Sequence, residues 1–213
     1  MQGRFCSVVA LDPDRHTQDL FDAYSHDRLG TLWTYFHVGP FATEAELKTW
    51  LTKMATTEDP VYYVVEDAST GKATGIASLM RIQPEHGVIE VGGICFSPLL
   101  QRTAAATEAM FLMMCRVFHE LRYRRYEWKC DALNAPSRSA AERLGFTYDG
   151  TFRQAIVYKG RNRDTAWFSI LDSDWPALKR AFLDWLSTDN LSANGIQETS
   201  LAEFVRKHRV SRL

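Results

Sequence analysis

The chain is 213 residues long, 46% apolar and 24% charged, with a formal net charge of −1 at pH 7. That is enough chain for one globular domain with a full core, and so even a charge balance argues against nucleic acid or an anionic membrane as partner. No apolar run approaches the ~18 residues that cross a bilayer, and Met1-Gln2-Gly3-Arg4 leads straight into a strand-like run without the apolar core of a signal peptide.

Phe5 to Leu11 reads as a strand ending at Asp12-Pro13, and a short helix is predicted from Thr17 to Tyr24. The aromatic, punctuated stretch from Trp33 to Phe41 reads as a loop. Thr43, with Glu46 three residues later, forms a capping box that opens a helix through Leu47, Trp50, Leu51 and Met54. Strands follow at Val61 to Glu66, Thr74 to Ile82 and Val88 to Phe96. The turn residues between them predict an antiparallel meander. The longest helix is expected from about Thr103 to Leu121, with Ala106, Ala109, Met110, Met113, Val117 and Leu121 on one buried stripe.

Tyr126, Trp128 and Cys130 then alternate with Glu127, Lys129 and Asp131, the pattern of a strand. Pro136 near the start and Gly145 just past the end bracket a short helix. Two more strands, Phe146 to Tyr158 and Thr165 to Leu171, precede a helix from Trp175 to Leu186. The basic stretch from Tyr158 to Asp164 reads as a solvated hairpin turn. In the polar tail Ser200 and Glu203 can cap one more short helix ending in Lys207, His208 and Arg209. The expected organisation is a domain over 1–188 and a tail over 189–213, the tail helix packed on the domain. Cys6, Cys95, Cys115 and Cys130 are scattered without Cys-x-x-Cys spacing. They predict reduced thiols in a cytoplasmic protein, and no metal site.

Two clusters carry the chemistry. Gln101-Arg102-Thr103-Ala104-Ala105-Ala106-Thr107-Glu108 joins a strand to the longest helix. A helix opening offers unpaired N–H groups and the positive end of the dipole, and both suit a pyrophosphate. Three alanines permit close approach, and Arg102 can add charge. Alanines also simply favour a helix start, so these residues alone leave both readings open. The second cluster is Asn134-Ala135-Pro136-Ser137 with Glu142-Arg143-Leu144-Gly145-Phe146. Asn134 can hold an amide-rich ligand arm, or Asn134 and Ser137 can cap the helix.

Together, in this order and spacing, the clusters resemble the GCN5-related N-acetyltransferase superfamily, in particular its ribosomal-protein N-terminal acetyltransferase branch. Gln101 to Ala106 falls on the family's Gln/Arg-x-x-Gly-x-Gly/Ala turn, with Ala104 in place of the inner glycine. Asn134, Ser137 and Glu142 to Phe146 match its later element. The resemblance covers about Arg4 to Leu186. It implies an α/β fold, a mixed and mostly antiparallel twisted sheet of about seven strands flanked by helices. It also implies acetyl-coenzyme A (acetyl-CoA) as donor, with Cys95, Phe96, Gln101, Arg102, Thr103, Ala104, Ala105, Ala106, Thr107, Asn134, Ser137 and Arg143 as its binding residues. The acceptor is then an amine, on a peptide N-terminus or a small molecule, and a second copy of the chain is a candidate partner.

Direct transfer needs a neutral amine, a polarised thioester carbonyl and a protonated leaving thiol. Glu90 is the candidate base, because it interrupts an apolar run just before Gly92-Gly93, a pair that can bulge the strand open. Amides near Cys95 and Phe96 would polarise the carbonyl, and Ser137 or Tyr158 would return a proton to sulfur. No covalent intermediate is required, so Cys95 and Cys130 read as packing residues. Trp33, Tyr35, Asp131 and Arg153 are the acceptor-side candidates, with no substrate read from them. The competing expectations are a non-catalytic acyl-CoA-binding module of the same fold and a nucleic-acid-binding α/β protein, the latter disfavoured by charge.

Overall fold

A computed structural model describes residues 1–210. Its strands are β1 (Cys6–Ala10), β2 (Val61–Asp67), β3 (Ala73–Gln83), β4 (Val88–Phe96), β5 (Arg125–Asp131), β6 (Thr147–Tyr158) and β7 (Arg161–Leu171). The helices are α1 (Pro13–Ser25), α2 (Glu44–Ala55), α3 (Ala104–Cys115), α4 (Ala135–Arg143), α5 (Trp175–Leu186) and α6 (Leu201–Val210). The strands form one seven-stranded sheet in the order β1-β2-β3-β4-β5-β7-β6. Every neighbouring pair is antiparallel except β4 and β5.

That parallel pair is short, and its shortness positions the site. Pairing runs only from Val88↔Arg125 to Val91↔Trp128. Beyond it β4 stays with β3, through Cys95↔Ile76 and Phe96↔Gly75, while β5 stays with β7 as far as Asp131↔Thr165. The sheet therefore opens between the C-terminal halves of β4 and β5. The glycine pair sits where the opening begins. Gly93 has φ +56, and a Cβ there would stand 2.9 Å from Tyr62 Oη. A Cβ on Gly92 would be 2.2 Å from Met80 Sδ. Neither position admits a side chain without displacing its neighbour.

α3 and α5 cover one face of the sheet, over Ile89, Val91, Tyr126, Phe168 and Ile170. α1 and α2 cover the β2–β4 part of the other, where Leu20, Leu47, Leu51, Val64 and Ile76 form a second core. α3 is buried on more than the single stripe its spacing suggests, because β1 and α5 pack on it as well as the sheet. Phe111 stacks on Phe182 at 5.2 Å. Glu108, itself buried, accepts hydrogen bonds from the amides of Arg4 (2.9 Å), Phe5 (2.6 Å) and Cys6 (3.0 Å) and so pins the edge strand. The helix leaves through a π turn at Arg116–Glu120.

Two boundaries differ from expectation. α1 begins at Pro13, not Thr17. Asp12 caps it by accepting from the amides of Asp14 (3.0 Å) and Arg15 (3.3 Å), so Asp-Pro starts a helix as well as ending a strand. The basic stretch is mostly strand. Only Lys159-Gly160 turns, both at positive φ as a tight hairpin requires, and Arg161–Asp164 belong to β7. The β6–β7 hairpin consequently projects past the end of β5.

In the tail, α6 packs on α5 with Leu201 and Val205 buried. His208 Nε2 lies 2.7 Å from Asp184 Oδ2, and Arg209 donates to the Gly145 carbonyl at 2.7 Å. The end of the tail expectation, 211–213, lies outside the described residues. Among the described residues no helix is long and apolar enough to cross a membrane, and no group of three or more His, Cys, Asp or Glu is arranged to hold a metal ion.

Candidate active site

The chain leaves β4, turns through Ser97 to Gln101 and enters α3 beside the open end of the sheet. Thr103 is the extended N-cap, and its Oγ1 accepts from the Ala106 amide at 3.1 Å. The amides of Ala104 and Ala105 bond to no described residue. Two free donors at the positive end of a helix make an anion cradle. Ala104 is the first helical residue, so the methyl in place of hydrogen brings no backbone strain. Arg102 takes the strained conformation instead, with φ +62. Gln101 Nε2 donates to the Phe96 carbonyl at 2.9 Å, fixing the turn to the strand. Arg143 on α4 donates to Thr107 Oγ1 at 3.2 Å, tying the second cluster to the first.

In the opening, the Ser97 amide bonds to the Thr74 carbonyl on β3 at 3.1 Å. Antiparallel alternation then turns the main-chain groups of Phe96 away from β3, toward the gap. Tyr24 Oη, buried under α1, donates to the Cys95 carbonyl at 3.1 Å and holds this part of β4 from below.

Glu90 lies at the root of the gap and is only 5% exposed. Its Oε2 accepts from Lys129 Nζ at 2.8 Å and faces Arg81 Nε at 3.4 Å. Its Oε1 bonds to no described residue and points along Gly92, 3.6 Å from where a Cβ would stand. Burial holds the carboxyl above its ordinary value, with Lys129 and then Arg81 pulling it back. Lys129 also meets Glu127 at 2.7 Å, and Arg125 meets Glu127 at 2.8 Å and Asp149 at 2.6 Å. One oxygen of Glu90 is thus anchored in a chain of alternating charge, and the other is left for a ligand.

Asn134 caps α4 by accepting from the Ser137 amide at 3.2 Å. Ser137 Oγ accepts from Trp128 Nε1 at 3.0 Å and lies in hydrogen-bond contact with the Cys130 thiol. The Tyr158 hydroxyl donates to Asp131 Oδ2 at 2.8 Å and accepts from Arg161 at 2.6 Å. Burial, and then the bond to Asp131, push that phenol up. The hairpin tip bridges to the aromatic loop, with Lys159 on the Trp33 carbonyl (2.9 Å) and Arg161 on the Thr34 carbonyl (3.0 Å). Tyr35 Oη reaches the Leu133 carbonyl at 3.0 Å. Trp33 itself is the hub of an aromatic cluster with Tyr24, Phe36 and Phe41. Arg153 stands exposed on the outer strand.

Burial pushes the Cys95 thiol up to about 12 and raises Cys130 as well. Both stay protonated near neutrality, as packing residues do. Lys129, Arg81 and Tyr24 are not legible as site residues in the sequence, since a charge or phenol in an isolated element does not declare its neighbour across the sheet.

The sequence matches the model of the acetyltransferase (GNAT) domain over residues 9–147, more than half of the chain. The chain belongs to the GNAT acetyltransferase family. A GCN5-related N-acetyltransferase from Brucella melitensis is 48% identical over 96% of this chain and 93% of its own, with a TM-score of 0.94. A probable acetyltransferase of the GNAT family from Chromobacterium violaceum is 43% identical over 83% and 87%, with a TM-score of 0.77. A putative ribosomal-protein-serine acetyltransferase from Vibrio cholerae shares the fold at 17% identity, 80% and 95% coverage and a TM-score of 0.67. No curated protein sequence matches the chain. The GNAT protein is thus an acyltransferase of a family that uses an acyl-CoA donor. The opening of α3 fits that donor's pyrophosphate, since the amides of Ala104 and Ala105 bond to no described residue.

Proposed function

We propose that the chain is an acetyl-CoA-dependent N-acetyltransferase that moves the acetyl group directly onto a primary amine. Acetyl-CoA supplies the activated thioester when bound. The observation that carries the reading is the opening of the sheet beside a buried carboxylate with one free oxygen, next to the free amides of α3.

Each residue has one task in this reading. Ala104 and Ala105 hold the pyrophosphate through their amides, and Arg102 adds charge from solvent. Phe96 offers its amide to the thioester oxygen in the gap. Glu90 Oε1 takes a proton from the incoming ammonium, directly or through water. An α-amine near pKa ~8 is about a tenth neutral at pH 7, so this base has modest work to do. Ser137 returns a proton to the departing sulfur. Tyr158 stays protonated and braces Asp131. The raised thiols of Cys95 and Cys130 support direct transfer over a covalent enzyme intermediate.

The sequence motifs leave a peptide N-terminus or a small-molecule amine as the acceptor, and a Vibrio cholerae protein of the same fold is described as a putative ribosomal-protein-serine acetyltransferase. The test is thiol release from acetyl-CoA against a panel of peptides and small amines, with products read by mass. A gain of one acetyl on an amine nitrogen is expected. Acetyl-CoA binding without release on any acceptor would leave a non-catalytic acyl-CoA module.

A further inference from the structure

Tyr24 brings a hydroxyl into the core at a place where a phenylalanine would fill nearly the same space. It stands on α1 with 7% of its surface exposed, in the core shared with Leu20, Leu47 and Ile76. Its ring meets Trp33 edge-on at 5.3 Å. Those contacts need only the ring. A buried hydroxyl is destabilising unless it is bonded, and this one donates to the Cys95 carbonyl at 3.1 Å. The Cys95 thiol is in hydrogen-bond contact with the same hydroxyl. Sulfur is a weak acceptor, so the phenol proton goes to the carbonyl. Burial pushes the phenol well above its ordinary value and keeps that proton in place near neutrality.

The identity of that carbonyl matters. Cys95 C=O and Phe96 N–H belong to one peptide unit, and in a trans peptide the two point in opposite directions. Cys95 stands opposite Ile76 and Phe96 opposite Gly75, while the Ser97 amide bonds to the Thr74 carbonyl. Bonded and non-bonded positions alternate along an antiparallel pair. The Cys95 carbonyl therefore turns toward β3 and the Phe96 amide toward the gap. Among the described residues no strand pairs with β4 on the gap side beyond Val91. A carbonyl has two lone pairs, so the phenol adds to the ladder bond with Ile76 and does not replace it. Tyr24 holds the back of the peptide whose front faces the gap.

We propose that Tyr24 is a positioning residue for acetyl transfer, whose hydroxyl aims and polarises the Cys95–Phe96 peptide so that Phe96 N–H is a stronger donor to the thioester oxygen. This rests on the reading of the sheet opening as the acetyl-transfer site. A bond accepted by a peptide carbonyl draws electrons from the amide nitrogen, and chained hydrogen bonds strengthen one another by about 10–30%. As the amine attacks, the thioester oxygen gains negative charge, so the bond from Phe96 is worth more in the transition state than before it. Tyr24 acts through the peptide, and its effect belongs in turnover. Coenzyme affinity is set elsewhere, at the free amides of α3.

The experiment is isotope-edited infrared spectroscopy of the protein saturated with acetyl-CoA labelled at the acetyl carbonyl, in the absence of an acceptor. The carbonyl stretch falls as its oxygen is more strongly hydrogen-bonded. The bound band should lie lower in the native protein than in Tyr24→Phe. A ring-fluorinated tyrosine installed in place of Tyr24, a stronger donor, should lower it further. With an accepting amine, Tyr24→Phe should lower kcat about three- to tenfold, less than the loss of a whole oxyanion donor. KM for acetyl-CoA and the calorimetric affinity for coenzyme A should not change. A hydroxyl that served packing alone would lower Tm and leave the band in place.

Coincident bands in the native protein and Tyr24→Phe overturn the inference, and so does a loss confined to KM. If Tyr24→Phe does not fold, the fluorinated protein decides: a band that fails to move downward overturns the inference as well. The site reading is scored separately. A native band no lower than that of the thioester in water takes the thioester away from Phe96, and both readings fall. A lowered native band that the variants leave alone sinks the tyrosine and spares the site. Bands that move as expected, with no amine releasing thiol, sink the transfer reading and keep the tyrosine.

Discussion

Lys129→Met removes the cation that anchors the candidate base. Nζ lies 2.8 Å from Glu90 and 2.7 Å from Glu127, and its side chain is 7% exposed. At 2.8 Å and an effective dielectric near 20 the attraction to Glu90 is at most about 6 kcal/mol. Breaking a buried pair by removing one partner costs about 3–5 kcal/mol in practice, and Arg81 at 3.4 Å recovers part of it. Glu90 and Glu127 are register partners, so the variant leaves two carboxylates face to face. Burial already holds the Glu90 carboxyl above its ordinary value, and the loss of Lys129 moves it further the same way. A base works when ionised, so the acid limb of kcat/KM should shift upward by at least about one pH unit. Activity is then lost near pH 6 and recovered on the alkaline side.

The same sign governs stability. A carboxyl raised in the folded state binds its proton more tightly there than in the unfolded chain. Its contribution is therefore most favourable below the unfolded value near ~4.3 and is lost as pH rises through the folded one. The thermal deficit of Lys129→Met should be small at pH 5 and about 10 °C at pH 8. Lys129→Arg keeps the charge and should keep the native limb. A Lys129→Met enzyme whose acid limb overlays that of the native protein would refute control of transfer by Glu90 ionisation.

Glu90→Gln should lower turnover by about a hundredfold, while calorimetry finds coenzyme A affinity unchanged; native turnover at every pH removes Glu90 from the mechanism. Ala105→Asp puts a carboxylate at a core position only 7% exposed in the first turn of α3, and should abolish heat on titration with acetyl-CoA while lowering Tm. Glu108→Ala strands three amides leading into the first strand, those of Arg4, Phe5 and Cys6, which should cost about 3 kcal/mol or more and lower Tm by roughly 6–12 °C. Amide exchange should accelerate at Cys6 before it does in the central strands, and uniform acceleration would deny Glu108 its role as a pin.

Local chemistry announced much of the fold. Thr43 does cap α2, accepting from the Glu46 amide at 3.2 Å, and Glu46 reaches back to the Ala42 amide at 2.9 Å. The turn residues placed β2, β3 and β4 in a meander because each break forces the chain back on its neighbour. The helix-opening motif was readable for the same reason: amides, alanines and cap lie within a few consecutive residues. Asp12-Pro13 was ambiguous, since the pair both stops a strand and starts a helix. In the basic stretch, Lys159-Gly160 held the turn signal, and the arginines around it disguised a strand as solvent-facing loop.

Register is what a lone sequence withholds. Glu127, Lys129 and Asp131 alternate with core residues and so read as a wet strand face. β4 lies parallel beside β5, with Glu90 opposite Glu127, which brings Lys129 onto a carboxylate 39 residues away. A one-residue slip of that pairing would send Lys129 to the α3 side and leave Glu90 buried without a cation. The short parallel pairing, and the glycines that end it, therefore set the charge on the base as well as the width of the gap. Gly93→Val tests both at once. With φ +56 and a contact of 2.9 Å to Tyr62 Oη, it should cost roughly 1–3 kcal/mol of stability. It should also shift the acid limb of whatever activity remains, whereas a variant that loses stability with the limb in place would show that the opening and the ion pair are independent.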